Sequence, residues 1–164
     1  MLLFPEQVEV GANRPKTFEW ILGRTKDGIG NAPREVIHLM NSLRTTEIER
    51  MELGAQEIDT VFLFSRTTFK NALQDVSKVR LEQTLFAEYP KYRQLLEALR
   101  GAKTSHTVDT LMRAWNESRD AALDTANRLV DIGFFEKRGP TDNPQFWIPF
   151  LYRDALELVQ GTAE

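Results

Sequence analysis

Six cations in this chain have the residue types and the positions to hold a phosphate backbone. Arg119, Arg128, Lys137 and Arg138 lie in the last third, and Lys78 and Arg80 lie in a basic middle segment. Arginine and lysine donate charge-assisted hydrogen bonds to phosphate oxygens, and such contacts dominate affinity for nucleic acid. Bond-breaking chemistry has a thinner basis. "LFSRTTF" lacks the G-x-S-x-G context of an activated serine. His38 and His106 have no serine or aspartate partner by motif, and neither sits in a ligand-spaced cluster. Carboxylate pairs such as Glu47/Glu49 and Glu117/Asp120 fall on polar helix faces, where exposure is expected. The expectation is a protein that is not an enzyme and carries no cofactor and no metal.

The elements that must position those cations are clearest in the last 75 residues. "YPKYRQLLEALRG" places Tyr92, Leu95, Leu96 and Leu99 on one helix face and ends at Gly101. "TVDTLMRAWNE" repeats that spacing with Val108, Leu111, Met112 and Trp115, with Thr107 as its cap. "SRDAALDTANRLVDIG" is a third helix, capped by Ser118 and closed by Gly133. "FFEKR" and "QFWIPF" read as two strands joined by a Gly/Pro/Asn/Asp loop. "LYRDALELVQG" reads as a closing helix with Tyr152, Ala155, Leu156 and Val159 on one face. Three helices followed by a hairpin is the order of a winged helix-turn-helix. Its third helix would enter the major groove, with Arg119 near the helix start and Lys137 and Arg138 on the wing. From Ser118 to Arg138 the four cations are balanced by Asp120, Asp124, Asp131 and Glu136, which predicts weak binding by this helix alone.

Upstream, Thr17 is the expected cap of a short helix that presents Phe18, Ile21 and Leu22, and "TKDGIGN" breaks it with an Asp-Gly turn. Pro33 opens a helix whose stripe is Val36, Ile37, Met40 and Leu43, running to Gly54. "TVFLF" (60–64) fits a short strand or a capping turn. Residues 65–89 form one long helix capped by Ser65, and Pro90 marks a restart. Charge is unevenly spread: residues 66–103 hold eight basic and four acidic groups, while residues 1–65 hold seven and ten. Lys70, Lys78, Arg80, Lys91 and Arg93 make the middle segment either a solvated basic face or a surface for a phosphate backbone. Trp20, Trp115, Trp147 and the ten phenylalanines are expected in the core, and His106 in a solvated polar loop. No cysteine is present, which excludes disulfides and thiolate sites and fits a reducing compartment. No apolar run reaches membrane-spanning length and the N-terminus lacks the pattern of a signal peptide, so the expected location is the cytoplasm.

Several motifs together resemble the C-terminal region of bacterial P-loop ATPases of the STAND/AAA-like kind tied to conflict systems. They are Thr17-Phe18-Glu19-Trp20-Ile21-Leu22, Asp27-Gly28-Ile29-Gly30, the run from Pro33 to Asn41, Glu88-Tyr89-Pro90, and the run from Ile148 to Arg153. The resemblance implies that residues 17–43 correspond to the helical lid over the nucleotide, and that Arg34 matches the lid arginine that reaches the γ-phosphate. An arginine in a helix's first turn adds charge where the helix end already favours anions. The chain departs from such enzymes in having no G-x-x-x-x-G-K-[ST]; none of its nine glycines precedes a lysine. Arg34 therefore has that role only beside an ATPase core supplied from elsewhere. The chain reads as an excised fragment or as a protein that kept the lid without the motor.

The sequence thus predicts a mainly α protein with a small β-hairpin wing: a lid-like helical subdomain at 1–64, a connecting helix at 65–89 and a winged helix-turn-helix at 90–164. The predicted function is a non-catalytic DNA-binding or regulatory module. The alternatives are a protein-interaction or oligomerisation module, whose partner would be an ATPase core or another protein, and a stand-alone winged-helix regulator.

Overall fold

Ser65 starts the longest helical run. Its hydroxyl accepts from the Thr68 amide at 3.2 Å, satisfying an amide that no helix carbonyl reaches. From there α3 (Arg66–Val79) continues without a break into a π-helical segment, Arg80–Leu85, and then α4 (Phe86–Glu88). The wider π turn shifts the facing of the chain, so that Leu81 and Leu85 stay in the core beside Phe69, Ala72 and Val76. Pro90 then restarts the chain as a 3-10 turn, Pro90–Tyr92, leading into α5 (Arg93–Glu97). This computed structural model describes residues 2–31, 33–54 and 62–164.

The protein is mixed α/β and mainly helical, with a four-stranded sheet among the described residues. Before α3 come α1 (Thr17–Arg24) and α2 (Pro33–Glu52). After α5 come β1 (Lys103–Thr107), α6 (Val108–Trp115), α7 (Arg119–Asp131), β2 (Glu136–Arg138), β3 (Gln145–Trp147), α8 (Phe150–Arg153) and β4 (Val159–Thr162). The sheet order is β2-β3-β1-β4. β3 pairs antiparallel with both β2 and β1, and β4 runs parallel to β1. One core cluster extends from Val8 to Leu156 and includes Phe69, Phe134, Phe135, Phe146 and Tyr152. Each such fully buried large side chain contributes roughly 1.5–3 kcal/mol relative to exposure.

Several expectations need correction. Lys16, not Thr17, occupies the cap of α1; the Thr17 hydroxyl instead donates to the Pro5 carbonyl at 2.5 Å. Phe18 is exposed, and Trp20 takes the core position with Ile21. The inward face of α2 is Glu35, Leu39, Ser42, Leu43 and Glu47, while Ile37 is exposed and Val36 and Met40 are half-buried. Two glutamates hold core positions because each is paired there: Glu47 with Arg50 and the Thr68 hydroxyl, Glu35 with Arg80. Glu47 is therefore not on an exposed face. Residues 60 and 61 of "TVFLF" lie outside the described residues; Phe62 bridges Leu2 in parallel, and the Leu63 amide donates to the Leu2 carbonyl at 2.8 Å.

The hairpin is only half of the sheet. "KTSHT" is a strand despite its polarity, because its inward side chains find partners: His106 Nε2 lies 2.8 Å from the Lys103 carbonyl and Nδ1 lies 3.3 Å from the Thr110 hydroxyl. His106 is thus buried and not solvated. The closing helix stops at Arg153. Glu157 adopts a left-handed φ of 55° and the chain turns into β4, which leaves Val159 exposed.

The loop after α1 is locked to the turn after α7. The Gly28 amide donates to the Gly133 carbonyl at 2.7 Å, and a Cβ on Gly28 would sit 2.2 Å from the Phe135 carbonyl oxygen, so only glycine fits.

Candidate functional site

The segment from β1 to β3 is where most of the candidate cations lie. Thr107 and Ser118 cap α6 and α7 through their side chains, and Asn116 at φ 54° makes the tight turn between them. Val108, Leu111, Trp115, Ala122, Ala126 and Leu129 bury the inner faces of both helices. The outer face of α7 carries Arg119, Asp120, Asp124, Arg128 and Asp131, all exposed. Arg119 pairs with Asp109 of α6, and Arg128 with Asp124 at 2.9 Å. On the strands, Lys137 reaches Asn127 at 3.1 Å and Arg138 reaches Glu136 at 3.0 Å. Exposed pairs of this kind are worth about 0–1 kcal/mol, so a phosphate can displace them, but each acid lowers the local positive potential.

The six cations do not form one surface. Lys78 is exposed on α3, next to a cleft it shares with Arg100 and Glu157. Arg80 points inward. Its side chain is 16% exposed, and it pairs with Asp27 at 3.3 Å and with Glu35 at 3.2 Å. The expectation of Arg80 as a nucleic-acid contact is corrected on that ground: its guanidinium offsets two buried carboxylates and is not free to face solvent. Burial opposes the Arg80 charge, but Tyr152, Glu35 and Asp27 outweigh it and hold the guanidinium above its ordinary value. Burial pushes the Tyr152 phenol up to about 12, with Arg80 acting against that rise. Glu35 Oε2 and Arg80 Nε remain buried without a hydrogen-bond partner.

Arg34 stands at the edge of this cluster, in the first turn of α2. It is largely exposed, with its Nε 3.3 Å from Glu35. A cleft of about 260 Å³ lies between α2 and the π-helical segment, lined by Arg34, Glu35, His38, Arg80, Gln83 and Thr84. His38 is half-exposed there, and its Nε2 lies 3.6 Å from Asp75.

A second concentration of charge lies around Trp147 of β3 and Phe150 of α8. Arg24 stacks on Phe150 at 3.6 Å, Arg153 lies against Phe150 at 3.9 Å and Trp147 at 4.4 Å, and Arg138 lies over Trp147 at 3.8 Å. Contacts of a cation with an aromatic face contribute roughly 0.5–2 kcal/mol, more when water is excluded. Arg24 has Glu9 at 2.7 Å and Arg138 has Glu136. Among the described residues, Arg153 has only neutral acceptors, the Ile148 carbonyl at 2.9 Å and Gln160 Oε1 at 2.5 Å. It is 7% exposed, and its Nη2 has no partner. Burial, then Arg24 and Arg138, drives it down to about 10, with Asp154 acting the other way. Sequence reasoning did not single out Arg24 or Arg153 as binding residues; the run of aromatics around arginine in "QFWIPFLYR" was the available signal.

Among the described residues, no group of three or more His, Cys, Asp or Glu is arranged to hold a metal ion. No described helix is long and apolar enough to cross a membrane. The chain matches no protein family, and neither the curated proteins nor the solved structures contain a significant match to it.

Proposed function

We propose that residues 90–164 act as a winged helix-turn-helix module that binds duplex DNA without catalysis, mainly through backbone phosphates. The observation that carries this reading is the element order, α5, β1, α6, α7, β2, β3, with β1 joining the β2–β3 hairpin through β3. In that arrangement α7 takes the place of the recognition helix and β2–β3 that of the wing. The expected contacts are Arg119 and Arg128 on α7 and Lys137 and Arg138 on the wing, with Lys78 as an outlying cation. The acids beside them make binding weak and strongly salt-dependent.

Residues 1–64 are read as a lid-like subdomain and residues 65–89 as its connection to the module. The support for the ATPase-like resemblance is Arg34, which stands exposed in the first turn of a long helix at the mouth of a polar cleft. In that reading Arg34 would meet a phosphate only in a complex with a nucleotide-holding core.

A protein-interaction module is the second reading. One observation favours it: both α7 arginines already hold an aspartate.

Fluorescence anisotropy of labelled duplex DNA, at low and at near-physiological salt, tests the first reading. The expected result is binding that weakens steeply with salt and drops when Lys137 and Arg138 become alanine. Absence of binding at low salt overturns it and leaves the protein-interaction reading.

A further inference from the structure

We propose that the row Arg24, Phe150, Arg153, Trp147 and Arg138 forms a phosphate-binding surface, so that the face for nucleic acid extends beyond α7 and the wing towards α1. For DNA as the source of the phosphate, this rests on the winged-helix reading; the site itself does not.

The chemistry follows from charge and hydrogen-bond accounting. Three guanidiniums converge on two aromatic rings that come from β3 and α8. Two of them hold a carboxylate, and the third, Arg153, is nine-tenths buried with no carboxylate bonded to it and one Nη2 unpartnered. A buried cation without an anion is costly, and so is a buried donor without an acceptor. An oxyanion held against the row answers the first deficit. Phosphate suits the site because guanidinium groups present parallel N–H donors to its oxygens. The approach is open on two sides. Arg138 is 45% exposed and Trp147 is half-buried. Beside Arg24 a cleft of about 230 Å³ opens, lined also by Glu9, Lys70 and Asp154. On the outer face of α7 each arginine is already bonded to an aspartate, Arg119 to Asp109 and Arg128 to Asp124.

Asp154 and Glu136 give the proposal its sharpest test, because both are exposed or half-buried acids that compete with an incoming phosphate. Asp154→Asn and Glu136→Gln should each tighten binding severalfold, an outcome that a purely structural role for the row does not produce. Arg138→Ala should weaken binding severalfold and lower the slope of log affinity against log salt by about 0.9 for one lost phosphate contact. Arg153→Lys keeps the charge but loses the planar fork, and should weaken binding while leaving the salt slope nearly unchanged; Arg119→Ala should leave the binding of inorganic phosphate unchanged.

The experiment is anisotropy with labelled duplex DNA on the full chain and these variants, paired with 31P NMR titration of inorganic phosphate. Circular dichroism checks that each variant is folded, and if Arg153→Lys fails that check the Asp154 and Arg138 variants still decide. DNA binding that follows the predicted pattern supports the inference with DNA as the source. Inorganic phosphate binding that follows the pattern, with no DNA binding, supports the site and overturns the DNA reading. DNA binding that ignores Arg138, Arg153 and Asp154 but falls with Arg119→Ala overturns the inference and keeps the DNA reading. Binding of neither probe overturns both.

Discussion

Arg80 and Arg153 are both arginines turned into the protein, and their surroundings are opposite. Arg80 opens the π-helical segment and reaches α2 and the loop after α1, where it holds two carboxylates that are themselves buried. Arg153 ends α8 among aromatic rings, a carbonyl and an amide oxygen. The first is a closed charge cluster, in which the cation is needed by its neighbours. The second is an open one, in which the cation is bonded to neutral acceptors and to no carboxylate among the described residues. Burial of an arginine therefore says little by itself; the charges around it decide whether it fastens the fold or waits for an anion.

The comparison breaks most easily at Arg80. Arg80→Met should cost about 3–5 kcal/mol, because it leaves Asp27 and Glu35 buried without their cation. Urea denaturation measures it, and a loss below that of Arg153→Met would end the distinction. Gly28→Ala should cost about 1–3 kcal/mol through overpacking against the Phe135 carbonyl, read from the same denaturation curves. Arg153→Met removes two hydrogen bonds but also an unneutralised charge, and a net loss of about 1–2 kcal/mol is expected.

A smaller effect tests the sheet side by pH. Burial lowers the His106 pKa from its ordinary 6.5, with the hydrogen bond to the Lys103 carbonyl acting weakly against that. The unfolded imidazole takes up its proton at higher pH than the folded one. The contribution of neutral His106 is thus complete above about 6.5 and is lost as pH falls through the range beneath. Thermal melts between neutral and mildly acid pH should show that decline, and His106→Asn should flatten it.

What the sequence revealed was local. Ser65, Thr107 and Ser118 were legible as caps because a cap is a short-range interaction between a hydroxyl and an amide three residues on. The left-handed turns at Gly101 and Gly133 were legible for the same reason. The inner face of α2 was not, since Glu35 and Glu47 owe their burial to Arg80 and Arg50, one of them 45 residues away. β1 was hidden because its buried side chains are threonine, serine and histidine, which carry no apolar alternation. At the candidate site, the types and positions of the cations were readable, but which cation faces solvent depends on partners brought in by the fold. Arg80 faces inward for that reason, and apart from the aromatics before Arg153 no local signal separates Arg24 and Arg153 from solvated arginines.

The lock at Gly28 has a mechanical consequence. Asp27 Oδ1 accepts from the Ile29 and Gly30 amides, its Oδ2 holds Arg80, and the next residue is pinned to the Gly133 carbonyl. This short loop thereby ties the turn after α7 to Arg80 at the head of the π-helical segment. A displacement of that turn must carry residues 27–30 with it or break the Gly28–Gly133 hydrogen bond.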